Sequence, residues 1–139
     1  MRKLGAGSMP LAVDTNIVAR ALTDDGTDQS RKASECFRDN EVFISDTVML
    51  ETEWLLRSRL QVPRSAIRDL FAGLLSWPKI RFSDRERMVR SIEAHARGVD
   101  FADALHVLAA NDCDAMLTFD DDFVRRADRI PGGIPVQFP

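Results

Sequence analysis

Short apolar runs alternate along the chain with longer stretches in which apolar residues recur every three to four positions. The short runs predict strands at 11–13, 42–44, 80–82, 115–119 and 134–136. The amphipathic stretches predict a first helix that follows Asp14 and ends at Leu22, and further helices over 29–39, 47–59, 63–77, 83–98 and 101–111. A last helix is predicted to begin at 120–122. Because such alternation produces parallel strands covered on both faces, the pattern predicts an α/β fold, a three-layer α/β/α sandwich with a short central parallel sheet.

The 139-residue length suits one domain. The Gly-Ala-Gly-Ser run before Met9 is typical of an added or disordered leader, so residues 1–8 are set apart and the domain is expected over 9–139. The apolar fraction of 45% is that of a folded globular protein, and no segment has the length or apolarity of a membrane span. Cys36 and Cys113 form no metal-binding pair and are expected to be buried free thiols, which favours a cytoplasmic protein.

Two predicted strands end in an aspartate, Asp14 and Asp120. Parallel α/β sheets bind ligands beyond the carboxyl ends of their strands, so both carboxylates are candidates for a site. The alternative for each one alone is a helix N-cap, in which the side chain accepts from the first backbone N–H groups of the next helix. Asp120 opens an acidic triple, and Asp122 is kept as the reserve candidate.

The helix predicted at 47–59 carries Glu51 and Glu53. At about 100° per residue, Glu51 falls between Trp54 and Leu55 on the apolar arc, so it is expected to point inward. Glu53 has Arg57 four positions on and is expected to be an exposed ion-pair partner of small energetic worth. An inward carboxylate is costly unless it is paired or neutralised, and a bound cation is the favoured explanation for Glu51.

The most apolar helix begins with two further acids, Asp100 and Asp103. Asp100 is placed to be its N-cap, which leaves Asp103 one turn inside with little solvated face to receive it. His106 is expected to be a packing residue. Several inward carboxylates in one cleft favour a hard divalent cation such as Mg²⁺ or Mn²⁺, because the set contains oxygen ligands and no histidine. Such an ion suits phosphodiester hydrolysis.

Four motifs together resemble the PIN domain: Asp14-Thr15-Asn16 after a strand, Glu51 in Val-Met-Leu-Glu, Asp103 in Asp-Phe-Ala-Asp-Ala-Leu-His, and Asp120 in Leu-Thr-Phe-Asp. More narrowly, the chain is similar to a VapC-type toxin of a bacterial type II toxin–antitoxin system. The motifs occur in the family's order and cover nearly everything from Met9 to Pro139.

The resemblance implies a Mg²⁺- or Mn²⁺-dependent endoribonuclease. Its catalytic and metal-binding residues are then Asp14, Glu51, Asp103 and Asp120, supported by Thr15, Asn16, Asp100 and Asp122. The resemblance also implies a homodimer, and inhibition by a cognate VapB-type antitoxin whose C-terminal segment wraps the toxin.

Other interpretations remain open. A receiver domain or a haloacid-dehalogenase-type phosphatase also places an aspartate after its first strand, but the phosphatase pattern needs a second aspartate where this chain has Asn16. A catalytically silent PIN-like module that binds RNA or protein is the non-enzymatic alternative. The net charge of -3 gives no overall attraction to RNA, and no aromatic run indicates a base-stacking surface. The candidate phosphate contacts are Arg57, Arg59, Lys79, Arg81, Arg125 and Arg126, each of which is more typical of a solvated face.

Overall fold

The computed structural model describes residues 9–139; the predicted leader, residues 1–8, lies outside the described residues. The chain divides into two compact units, one that ends at Ser83 and one from Asp84 to Pro139. A single domain over 9–139 stays a prediction. No helix within the described part is long and apolar enough to cross a membrane.

The first unit contains three parallel strands with helices between them. In chain order these are β1 (Leu11–Ala12), α1 (Thr15–Thr23), α2 (Asp28–Asp39), β2 (Val42–Ile44), α3 (Asp46–Trp54), a π-helical turn (Leu55–Arg59), α4 (Arg64–Ser76) and β3 (Ile80–Phe82). Strand β2 lies in the centre of the sheet, with β1 and β3 on either side. This position explains why Val42 and Ile44 are fully buried.

Helix α1 packs against α2 and α3, so the first unit buries one face of each helix. The fully buried side chains of its core are Val18, Val42, Ile44, Met49, Leu56, Ile67 and Phe71. The predicted continuous helix over 47–59 was wrong at its second half. Backbone bonding there widens to a π turn, in which the Leu60 N–H donates to the Leu55 carbonyl at 3.1 Å.

The second unit consists of α5 (Arg85–Ala96), α6 (Phe101–Ala109), β4 (Met116–Leu117), α7 (Asp121–Arg126), a 3₁₀ turn (Ala127–Arg129) and β5 (Val136–Gln137). Strands β4 and β5 form a separate parallel pair in which Met116 lies opposite Val136. Helices α5 and α6 pack together over one apolar core. Its buried members are Ala94, Val99, Ala104, Val107, Leu108, Phe123 and Ile130.

Two boundaries in the second unit differ from the predictions. The helix predicted to begin at 83 begins at Arg85, because Asp84 is the N-cap of α5 and accepts from the Arg87 N–H at 3.0 Å. The last strand is shifted toward the C-terminus, since Pro135 has no N–H to donate and contributes its carbonyl to Met116 instead. Both cysteines are free, but Cys113 is exposed and Cys36 half-buried, so the expectation of buried thiols was wrong.

Candidate functional site

Asp103 lines an acidic cavity in the second unit. It lies one turn into α6, where neighbouring positions are buried in the core, and its own side chain is half-buried. The cavity has a volume of about 300 Å³. Its walls are formed by Val99, Asp100, Asp103, Asp120, Asp122, Phe123 and Arg126. The structure therefore brings together four of the acids singled out in the sequence.

The surroundings of Asp103 disfavour its charged form. Burial is the largest cause, followed by repulsion from Asp100 and Asp120, and the pKa of Asp103 rises from 3.8 to about 6. His106 acts in the opposite direction and lowers this pKa. His106 is exposed on α6, so the expectation that it packs in the core was wrong. A cation bound beside Asp103 would favour its ionised form, because it would offset the repulsion from the two neighbouring acids.

Asp100 and Asp120, which both line this cavity, are helix N-caps. The Oδ1 atom of Asp100 accepts from the Asp103 N–H at 3.0 Å, which confirms Asp100 as the N-cap of α6. The Oδ1 atom of Asp120 accepts from the Phe123 N–H at 3.2 Å and caps α7. In addition, the Asp120 N–H donates to the Thr118 hydroxyl at 3.0 Å. The two carboxylates are thus oriented by the backbone.

The remaining charged groups of the cavity have other partners. Asp122 accepts from Arg125, which also lies 3.8 Å from Asp121. Arg126 donates to the Gly98 carbonyl at 3.1 Å, so its guanidinium is directed at the backbone of the loop that precedes Asp100. The sequence did not single out Arg126 as a lining residue, because its distance along the chain from Asp103 hides their proximity. Asp122 lines the cavity in a supporting position.

Asp14 lies in the first unit, at the junction of β1 and α1. It is exposed, and its Oδ1 atom accepts from the Ile17 N–H at 3.1 Å as the N-cap of α1. Thr15, half-buried, and Asn16, exposed, form the start of that helix. The N-cap alternative considered for Asp14 and for Asp120 is therefore what the structure shows for each, and one oxygen of each carboxylate remains available to a ligand.

Glu51 and Glu53 face the opposite way from the prediction. Glu51 is exposed, whereas Glu53 is 3% exposed and accepts from the Arg57 guanidinium at 2.9 Å. The predicted ion pair is present, but it is largely buried on the glutamate side. The inward stripe of the helix consists of Met49, Thr52, Glu53 and Leu56. The prediction failed because it took Trp54 as a core residue, and Trp54 is 49% exposed.

Within residues 9–139, no group of three or more His, Cys, Asp and Glu side chains is arranged closely enough to hold a metal ion. The residues nevertheless fit a hard divalent cation in kind, because every candidate is a carboxylate. A cation beside Asp103 would offset the burial and the neighbouring negative charges that raise its pKa to about 6.

The chain matches a known protein family. The sequence profile of the PIN domain matches residues 11–129, a span that includes all of the candidate acids. Searches of curated proteins and of solved structures gave no match. Together with the short parallel strands that alternate with helices, the family match confirms the predicted fold class, an α/β/α sandwich of the PIN type.

Proposed function

Because the chain belongs to the PIN-domain family, whose members are generally nucleases, we propose that it is a Mg²⁺- or Mn²⁺-dependent endoribonuclease. Asp14, Glu51, Asp103 and Asp120 are proposed as the residues that bind the metal, with Thr15, Asn16, Asp100 and Asp122 in support. The observation that carries the proposal is the cavity around Asp103, in which burial and two neighbouring acids raise the pKa of a carboxyl group to about 6.

The protein's own groups contribute binding and proton control. When bound, the metal supplies polarisation of a phosphoryl oxygen and activation of water. Asp103 holds a proton below about pH 6 in the metal-free protein and must release it to bind a cation, so metal affinity rises with pH through this range. Asp14 and Asp120 keep their orientation through the backbone N–H groups of Ile17 and Phe123.

The biological role is proposed at a finer level than the family. The chain acts as the VapC-type toxin of a toxin–antitoxin pair in the cytoplasm, as a homodimer, and a VapB-type antitoxin inhibits it. The order and identity of the acidic motifs support this assignment. Expression of the chain alone in a bacterial host should arrest growth, and the Asp103→Asn variant should not. Growth that is unaffected by the chain alone contradicts the toxin role.

The nuclease proposal is tested by incubating the purified protein with a mixed RNA pool and Mg²⁺, Mn²⁺ or EDTA. Asp103→Asn and Asp14→Asn should lose cleavage, whereas Asp114→Asn should retain it. Asp114 is a suitable control because it is an exposed acid of the same unit as Asp103 but does not line the cavity. Cleavage that persists in EDTA or in the Asp103 variant contradicts the proposed site. Absence of cleavage with every metal favours a silent RNA- or protein-binding module.

A further inference from the structure

Trp54, at the end of α3, exposes 49% of its surface instead of joining the core. The guanidinium carbon of Arg59 lies 5.8 Å from the centre of its ring. This distance is within the range of a cation–π interaction. The buried stripe of the helix runs through Met49 and Leu56, so Trp54 lies outside it.

The π-helical turn at Leu55–Arg59 brings these two side chains together. In an α-helix, the residue five positions on lies about 140° around the axis, on another face. The i to i+5 bonding of a π turn returns that residue toward the face of the first. Arg59 is the fifth residue after Trp54, so the widened turn creates the pairing. Single π turns inside helices occur frequently at functional sites.

The chain around this pair is strongly basic although the whole protein has a net charge of -3. No acidic residue occurs between Glu53 and Asp69, a segment that contains Arg57, Arg59, Arg64 and Arg68. Among the arginines considered as phosphate contacts, Arg57 pairs with Glu53, Arg81 with Glu41 and Arg125 with Asp122. Within the described residues, Arg59 forms no ion pair. Its guanidinium lies over the half-exposed Trp54 ring, and its charge is available to an anion there.

Glu51 shares the exposed face of α3 with Trp54. The two residues are three positions apart, a spacing that places Cβ atoms about 5–6 Å from each other on a helix, and both side chains are exposed. A planar group stacked on Trp54 therefore lies next to Glu51, a carboxylate proposed to bind metal. The ligand that matches a flat apolar ring, an adjacent cation and this spacing is a nucleotide of a single strand.

We propose that Trp54 and Arg59 form a stacking platform for one base of single-stranded RNA, and that this base positions the adjacent phosphodiester at Glu51. Trp54 is thus a positioning residue and Arg59 a phosphate contact. The inference rests on the proposed ribonuclease function for its biological meaning. RNA binding itself can be measured without cleavage, however, so the two proposals can fail separately.

The test is fluorescence anisotropy of a labelled eight-nucleotide single-stranded RNA in EDTA. Trp54→Ala should weaken binding by about ten- to a hundredfold, the range for loss of one base–aromatic stack. Trp54→Phe should restore most of the affinity because it keeps a stacking ring. Arg59→Gln should weaken binding and reduce its salt dependence. A duplex of the same sequence should bind more weakly, since its bases are not accessible to the ring.

The chain offers a matched control in Trp77, its other tryptophan. Trp77 is 40% exposed, and its Nε1 atom donates to the Phe37 carbonyl at 3.2 Å. Trp77→Ala should therefore leave RNA affinity within about twofold of wild type. In a Trp77→Phe background, the fluorescence of Trp54 reports directly on stacking and should be quenched by the oligonucleotide. Circular dichroism of each variant confirms that it is folded.

RNA affinity that is unchanged in Trp54→Ala overturns the platform. If that variant instead converts a dimer to a monomer with unchanged RNA binding, the platform is also overturned and the face belongs to a second copy of the chain. If wild type cleaves RNA and Trp54→Ala cleaves it with the same KM, the platform fails while the nuclease proposal stands. Loss of binding in Trp54→Ala, with no cleavage by wild type, supports the platform and refutes the nuclease.

Discussion

Replacing Asp103 with asparagine removes a charge that the folded protein maintains at a cost. Burial and the neighbouring acids raise the pKa of Asp103 from 3.8 to about 6. At about 1.4 kcal/mol per pKa unit, this corresponds to at most about 3 kcal/mol. Because the side chain keeps part of its contact with water, solvent screening reduces the figure to about 1 kcal/mol. We expect Asp103→Asn to raise the free energy of unfolding by that amount at neutral pH without metal.

The pH dependence of this effect has a defined sign. The pKa of Asp103 in the folded protein lies above its value in the unfolded chain, so the cost is absent below about pH 4, where both states hold the proton. It grows between about pH 4 and pH 6 and is complete above that range. The stability gained by the asparagine variant should follow the same course.

Urea denaturation followed by circular dichroism, in EDTA at about pH 4, pH 6 and pH 7.5, measures this difference. Asp114→Asn is the matched control and should change stability little at any of these pH values, because Asp114 is exposed outside the cavity. Equal stability of wild type and Asp103→Asn at pH 7.5, or a gain that is the same at all three pH values, would refute the electrostatic account of the cavity.

Three further predictions concern the rest of the molecule. Glu53→Gln should lower the free energy of unfolding by about 2 kcal/mol because it removes a buried charge-assisted hydrogen bond, whereas Glu51→Gln should change it little; equal effects in urea would contradict the observed orientation of α3. Gly98→Ala should lower the melting temperature, since Gly98 has a φ of +94° and an added Cβ would lie 3.2 Å from an arginine. Gly73→Ala, in open space within α4, should raise it; the reverse order would exclude backbone strain as the cause. Mg²⁺ at a hundredfold excess over its Kd should stabilise the wild type by about 2.7 kcal/mol, and a melting curve that ignores Mg²⁺, or that responds equally in Asp103→Asn, counts against the site.

Local patterns predicted much of the secondary structure. The strands at 42–44 and 80–82 have the predicted bounds because short apolar runs flanked by polar residues leave little choice of element. Asp100 was correctly identified as a cap, and Asp103 as the acid without that role, because N-cap geometry depends on only a few consecutive residues. These successes share one property, namely that the deciding interactions are close in sequence.

The failures depend on tertiary contacts. Trp54 is as apolar as a core residue, so periodicity alone assigned it to the buried face. Glu51 was then predicted to point inward because it lies on the same face as Trp54. The true stripe includes Glu53, whose burial is possible because Arg57 reaches its carboxylate from the next turn. Neither the π turn nor the proximity of Arg126 to the acidic cavity has a signature in composition or spacing. Joint metal binding by Asp14, Glu51, Asp103 and Asp120 stays a prediction.

The helix caps made by Asp14, Asp100 and Asp120 have an evolutionary consequence. Each of these side chains is useful to the folded chain whether or not any reaction takes place, and asparagine or serine could perform the same task. Selection for folding would therefore preserve polar residues at those positions in a descendant that had lost its chemistry. Neither Glu51 nor Asp103 is a helix cap, and the ionised Asp103 side chain destabilises the folded protein when no cation is bound. Drift to neutral residues at 51 and 103 would be the first sign of lost activity in such a lineage.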